Sequence, residues 1–180
     1  MGLAIACAIG TACRGRSDDG ALLFLQRTLK PGERILALRD LEALAGGSFA
    51  VVVVAPGGKP ELRILQADGK GDFGTVFSTR QGDVFRTMAL EDVNADGRDE
   101  ILVTWRGGHL EMIEVVGRDA QGSWTSLFQE AGREIERRYG VGGTSEFWIT
   151  SRTYEEGPDQ PPAYTTTVYR WAGGTFVESK

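Results

Sequence analysis

Asp92, Asn94 and Asp96 carry oxygen-bearing side chains at alternate positions, and Gly97 follows them directly. A loop curling round a point can aim all three inward. Glycine permits the sharp turn because, without a Cβ, it reaches positive φ at little cost. Oxygen donors at that density suit a hard cation, and flexible many-oxygen coordination suits calcium better than magnesium. A closing acid, Glu100, stands at the ninth position counted from Asp92. The segment is not an EF-hand loop, which needs a bidentate Glu at its twelfth position. Here that position is Val103, and Ile101–Trp105 reads as a buried, partly β-branched strand instead of an exiting helix. Two readings stand: a calcium loop, or an acidic hairpin turn that binds no ion, since Asp, Asn and Gly are turn residues in any case.

Other chemistry is sparse. The one histidine, His109, lies in the turn Arg106-Gly107-Gly108-His109 and reads as a solvated side chain. No Ser or Cys sits in a nucleophile elbow, and both cysteines, Cys7 and Cys13, lie near the N-terminus outside the expected fold. Asp99 and Glu100 are adjacent on a strand edge, so they point to opposite sides and make a poor acid/base pair. Trp105, Trp124, Trp148 and Trp171 fall at strand positions and read as core; grouped on one rim they would form a sugar or peptide platform. An enzyme is not expected, and the rival function is a glycan- or peptide-binding module using a tryptophan-rich face.

The elements around the acidic loop must be strands. Gly69-Lys70-Gly71-Asp72-Phe73-Gly74 precedes the run Val84–Leu90, then comes the loop, then Ile101–Trp105. An Asp-x-Asn-x-Asp-Gly-x-x-acid loop in that order resembles the calcium loop of the FG-GAP/VCBS repeat, found in integrin-α-like β-propellers. The resemblance implies an all-β, propeller-like fold and one structural calcium ion. Asp92, Asn94, Asp96 and Glu100 would bind it through side chains and Arg98 through its backbone carbonyl.

Sliding the chain against itself by 52 residues places Ala37–Leu41 on Ala89–Val93 and Phe49–Val51 on Ile101–Val103. Asp40 then falls on Asp92 and Glu42 on Asn94, while Leu44 and Ser48 replace Asp96 and Glu100, so this copy is expected to have lost its ion. Strands Glu61–Gln66 and Leu110–Val116 follow in the two copies. A fainter third copy uses Glu146–Thr150, Thr165–Tyr169 and the hairpin Trp171–Val177, with the carboxylate-free Val141–Ser145 in the loop position. A repeat period of about 50 residues with about four strands per unit is what propeller blades produce. Three units are fewer than the four or more that close a propeller, so an open arc, a compact sandwich or ends covered by a partner are the alternatives. Ala21–Leu29 reads as a strand. Glu33–Ala45 reads as strand then loop, although its apolar spacing also fits a helix. Gln129–Arg138 reads as a short helix between copies, and residues 155–163 as an exposed, proline-rich loop.

With 180 residues, 41% of them hydrophobic and 25% charged, the chain has the composition of one globular domain. Its net charge of −5 argues against a nucleic-acid partner. Residues 1–20 read as a signal-like segment and tether, and 21–180 as the repeat domain. Leu3–Ala12 matches an h-region in length without a basic n-region, and Cys13 after Gly10-Thr11-Ala12 resembles a bacterial lipoprotein cleavage site. The other reading of this segment is a loosely packed N-terminus. The expected location is extracytoplasmic, with a protein or glycan partner and membrane contact only through a lipid anchor.

Overall fold

Among the described residues, twelve strands form three sheets of four. The computed structural model describes residues 25–27, 29–41, 48–68, 73–153 and 163–179. The first sheet holds β1 (Arg34–Asp40), β2 (Ser48–Val54), β3 (Pro60–Ala67) and β4 (Phe73–Thr79). The middle sheet holds β5 (Val84–Glu91), β6 (Glu100–Gly107), β7 (Leu110–Arg118) and β8 (Trp124–Gly132). The third holds β9 (Glu134–Tyr139), β10 (Ser145–Thr153), β11 (Ala163–Ala172) and β12 (Thr175–Glu178). Every hydrogen-bonded neighbour is a neighbour in sequence and antiparallel, so each sheet is a meander. The architecture is all-β, with three blade-like units in an open, propeller-like arrangement.

Burial decides how the sheets stack. Alternate side chains of a strand face opposite sides. In the middle sheet both faces are apolar. Ile101, Val103, Trp105 and Val116 pack against Ala50, Val52, Leu62 and Ile64 of the first sheet. Leu102, Ile113, Val115, Leu127 and Phe128 pack against Phe147, Ile149 and Phe176 of the third. The middle sheet is therefore the filling of a three-layer stack. The far face of the first sheet buries Val51, Val53 and Leu65 with Leu25. The far face of the third is polar, with Arg138 stacked 3.9 Å over Trp148 and Arg170 paired to Glu146 at 2.7 Å.

The repeat is written into the hydrogen bonding. In the first two sheets a bulge interrupts the first strand pair, between Ile35 and Ala37 and again between Phe85 and Thr87. A second interrupts the last pair, between Ile64 and Leu65 and between Val115 and Val116. Strand registers nevertheless correct the alignment of the copies. Asp40 pairs with Phe49 as Leu90 pairs with Ile101, so Asp40 is a strand residue level with Leu90 and not with Asp92. The first loop is shorter, and sliding the sequence without gaps hides this. Glu42 and Leu44 lie outside the described residues, as do residues 1–24 with Cys7 and Cys13.

Of three local expectations, one agrees with the structure and two are corrected. Glu33–Ala45 is strand then loop as far as it is described, through β1. Gln129–Arg138 is not a helix: it spans the end of β8 and most of β9, where Ile135 and Arg137 turn inward while Glu134, Glu136 and Arg138 stay exposed. Within Ala21–Leu29, Leu25–Arg27 is a helical turn closed by the Leu29 N–H on the Leu25 carbonyl at 2.8 Å. Leu25 packs on Val51, Val53 and Leu65, an apolar contact that a single turn serves as well as a strand.

Candidate metal centre

The acidic loop leaves β5 after Glu91 and enters β6 at Glu100, so both of its ends are fixed by strand pairing. Within it the short side chains fold back on the backbone. Asp92 accepts the Asp96 N–H at 3.1 Å and the Gly97 N–H at 2.8 Å. Asn94 Oδ1 accepts the Asp96 N–H at 2.9 Å, and Asp96 accepts the Arg98 N–H at 2.9 Å. Gly97 takes φ of 85°, the conformation glycine adopts without strain. Ala95 takes φ of 60°, which costs a residue with a Cβ about 1–2 kcal/mol.

Two residues anchor this loop to the core. Val93 is fully buried among Phe147, Val115 and Leu127, and its carbonyl accepts the Ser145 N–H of β10 at 2.7 Å. Glu100 is 4% exposed and accepts the Val93 N–H at 3.1 Å. Burial pushes its carboxyl up to about 7; the Val93 bond opposes this, and Asp96, Asp92 and Asp99 add to it. Its other oxygen accepts from Asn94 Nδ2 at 3.1 Å, and the same amide donates to Asp96 at 3.3 Å. A neutral N–H₂ thus sits between two carboxylates, where a cation would serve them better. Turning that amide by half a turn places Oδ1 there instead.

Space for the Glu100 side chain is made by a glycine in mid-strand. A Cβ on Gly117 of β7 would come within 2.9 Å of Glu100 Cγ and 2.4 Å of Leu127 Cδ1. Neither Gly117 nor Val93 stands out in a search for ligating residues. The signal for Gly117 is its type, since glycine inside a strand marks the close approach of another group.

Asp92, Asn94, Asp96, Arg98 and Glu100 are therefore brought together on one loop. Asp99 points out to solvent as Glu100 points in. In this conformation the described residues hold no group of three or more His, Cys, Asp or Glu placed to hold a metal ion. The carboxylate oxygens of Asp92 and Asp96 are turned instead to backbone N–H groups. The donor set still fits a hard cation: four oxygen-bearing side chains, one buried and pressed by like charge, with no Lys or Arg side chain among the described residues bonded to them. His109 is exposed in the β6–β7 turn, away from the acidic loop's anchors. The tryptophans do not share a face. Trp105 and Trp124 lie at the first interface, Trp171 at the second, and Trp148 on the far face of the third sheet.

No protein-family model matches the chain, and no characterised protein matches it. The likeness to FG-GAP/VCBS repeats rests on the loop residues and their place between two strands.

Proposed function

We propose that this is a calcium-stabilised β-repeat protein of the cell exterior, with a structural or interaction role and no catalytic one. The observation that carries the reading is Glu100. It is a buried carboxylate crowded by Asp92, Asp96 and Asp99, with an amide where a cation belongs. Calcium would draw these acceptors together, with Asp92, Asn94, Asp96 and Glu100 binding through side chains and Arg98 through its carbonyl. The turn into β6 would be fixed, and through Val93 so would the seating of β10 on the middle sheet.

Extracellular calcium modules bind with dissociation constants of about 10⁻⁴–10⁻³ M. Millimolar calcium then stabilises the fold by roughly 0.5–1.5 kcal/mol. That corresponds to a few degrees in melting temperature for a chain of this size. Melting curves in calcium and in chelator should separate by that amount. Asp96→Ala should close the gap and His109→Ala should leave it open, while magnesium, with its tighter octahedral shell, should substitute poorly. Coincident wild-type curves would reduce the loop to an acidic turn. Export has its own check. A chain carrying a lipid on Cys13 should take up labelled fatty acid and lose the label in Cys13→Ser; label that persists in the variant excludes Cys13.

A glycan- or peptide-binding role has one observation in its favour, the half-buried Trp148 on the far face of the third sheet beside Arg138 and Glu146.

A further inference from the structure

Where the β6–β7 turn meets the β8–β9 turn and the facing ends of β10 and β11, the middle and third sheets leave a cleft of about 620 Å³. Arg106, His109, Glu111, Arg133, Arg152 and Tyr164 line it. Among the described lining residues cationic side chains thus outnumber the single carboxylate, in a chain whose net charge is −5. Arg152 is already engaged with a partner of its own, so Arg106 and Arg133 decide what the cleft can hold. Both are exposed, and neither forms an ion pair with a described carboxylate. Arg63, Arg80, Arg137, Arg138 and Arg170 all do.

Each guanidinium is also held at one edge. Arg106 Nε donates to the Gly108 carbonyl at 3.3 Å, which leaves both Nη groups available to an incoming acceptor. Arg133 lies 4.9 Å over the Tyr164 ring and donates Nη1 to the Tyr164 hydroxyl, which leaves Nη2 and Nε. A planar fork already fixed in place loses less entropy on binding an oxyanion, and it matches carboxylate or phosphate oxygens in pairs.

We propose that this cleft binds the oxyanion of a small acidic ligand, a carboxylate or a phosphate, between Arg106 and Arg133. The ligand is small because the negative field of the whole chain repels an extended polyanion before it arrives. Binding is weak, with a dissociation constant on the order of millimolar, because the groups are solvated and screened by salt.

The test is an NMR titration of isotope-labelled protein in buffer freed of calcium by a chelating resin. Inorganic phosphate, glucuronate and glucose are added in turn, and the arginine Nε–Hε resonances are followed. Those of Arg106 and Arg133 should shift and saturate with phosphate, glucuronate or both, and stay still with glucose. The pattern tells which oxyanion the cleft takes. Arg170, paired with Glu146 on the far face of the third sheet, should stay still throughout. Arg106→Gln and Arg133→Gln should each weaken binding roughly fivefold, the measure of one exposed charge contact. Equal shifts at all arginines, no shifts at all, or undiminished affinity in the double variant would overturn the proposal. Since calcium is absent, failure here leaves the acidic loop untouched, and failure of the calcium reading leaves this result untouched.

Discussion

Between the first and middle sheets the contact is largely aliphatic. Ala50, Val52, Leu62 and Ile64 meet Ile101, Val103 and Val116, with Trp105 among them. Between the middle and third sheets it is aromatic. Phe128 stacks on Phe147 at 5.3 Å, Phe176 lies 4.8 Å from Phe147, and Tyr169 and Trp171 complete the cluster. The second interface is also hydrogen-bonded across. Val93 accepts from Ser145 and Leu127 from the Thr175 hydroxyl, while Arg137 pairs with Glu91. Among the described residues the first interface has only exposed polar contacts at its rim, Gln129 donating to Gln81 at 2.6 Å and Lys59 paired with Asp83 at 2.7 Å. It buries a carboxylate, Glu114, with neither oxygen hydrogen-bonded, and the unpartnered indole N–H groups of Trp105 and Trp124. Thr79, Ser126, Gln81 and the Trp105 indole surround Glu114, but none stands at hydrogen-bonding geometry. Polar groups strengthen an interface when each has a partner and weaken it when they do not. The second interface is accordingly the firmer of the two.

The largest expected effect comes from breaking that firmer side. Phe147→Ala removes a side chain that is 0% exposed and touches two other rings, and should cost about 3–5 kcal/mol in urea unfolding. A loss under about 1 kcal/mol would mean that the third sheet is only loosely seated.

The weaker side should respond in the opposite direction. Glu114→Gln removes an unpaired buried charge and should stabilise the fold by about 1–3 kcal/mol at pH 8. Burial raises the Glu114 carboxyl above its ordinary 4.5, so across that window the folded chain binds more protons than the unfolded one. Stability therefore falls as pH rises from 4.5 upward, and the benefit of Glu114→Gln should fade towards pH 4. Glu100 adds a slope of the same sign up to about 7 and is common to both proteins, so the difference between the two unfolding curves isolates Glu114. A variant equally destabilised at both pH values would show the carboxylate to be satisfied after all.

The smallest effect tests one cross-link. Thr175→Val removes the hydroxyl bonded to the Leu127 carbonyl and should cost about 0.5–1.5 kcal/mol. No change would leave the aromatic cluster alone responsible for holding the third sheet.

Much of this was legible in the residues. The strands flanking the acidic loop are apolar runs of β-branched and aromatic type, and the glycine-punctuated copies announce repeating meanders. Four features were not. Glu134 and Arg138 stand four apart, which suits a helix, yet the intervening Ile135 and Arg137 also alternate as a strand whose far face is polar. Asp40 matches Asp92 only when no gap is allowed, and strand register alone reveals the shorter loop. Glu114 sits between Ile113 and Val115 like any outward polar residue. Its burial follows from a fact about stacking, that the middle sheet has no outward face. Arg106 and Arg133 are far apart in sequence, and only the meeting of two turns brings them to one cleft.

The meander connectivity has a consequence for how the chain is made. Each sheet is complete in consecutive residues, so the contacts that build it are local, and local contacts form faster than pairings across long loops. As synthesis proceeds, the first sheet is whole before β5 is translated. The middle sheet then finds one of its two apolar faces covered on arrival, and the other stays bare until the last strands leave the ribosome. That interval, while Leu102, Ile113, Val115 and Phe128 await Phe147 and Phe176, is when the nascent chain is most open to aggregation and to chaperones.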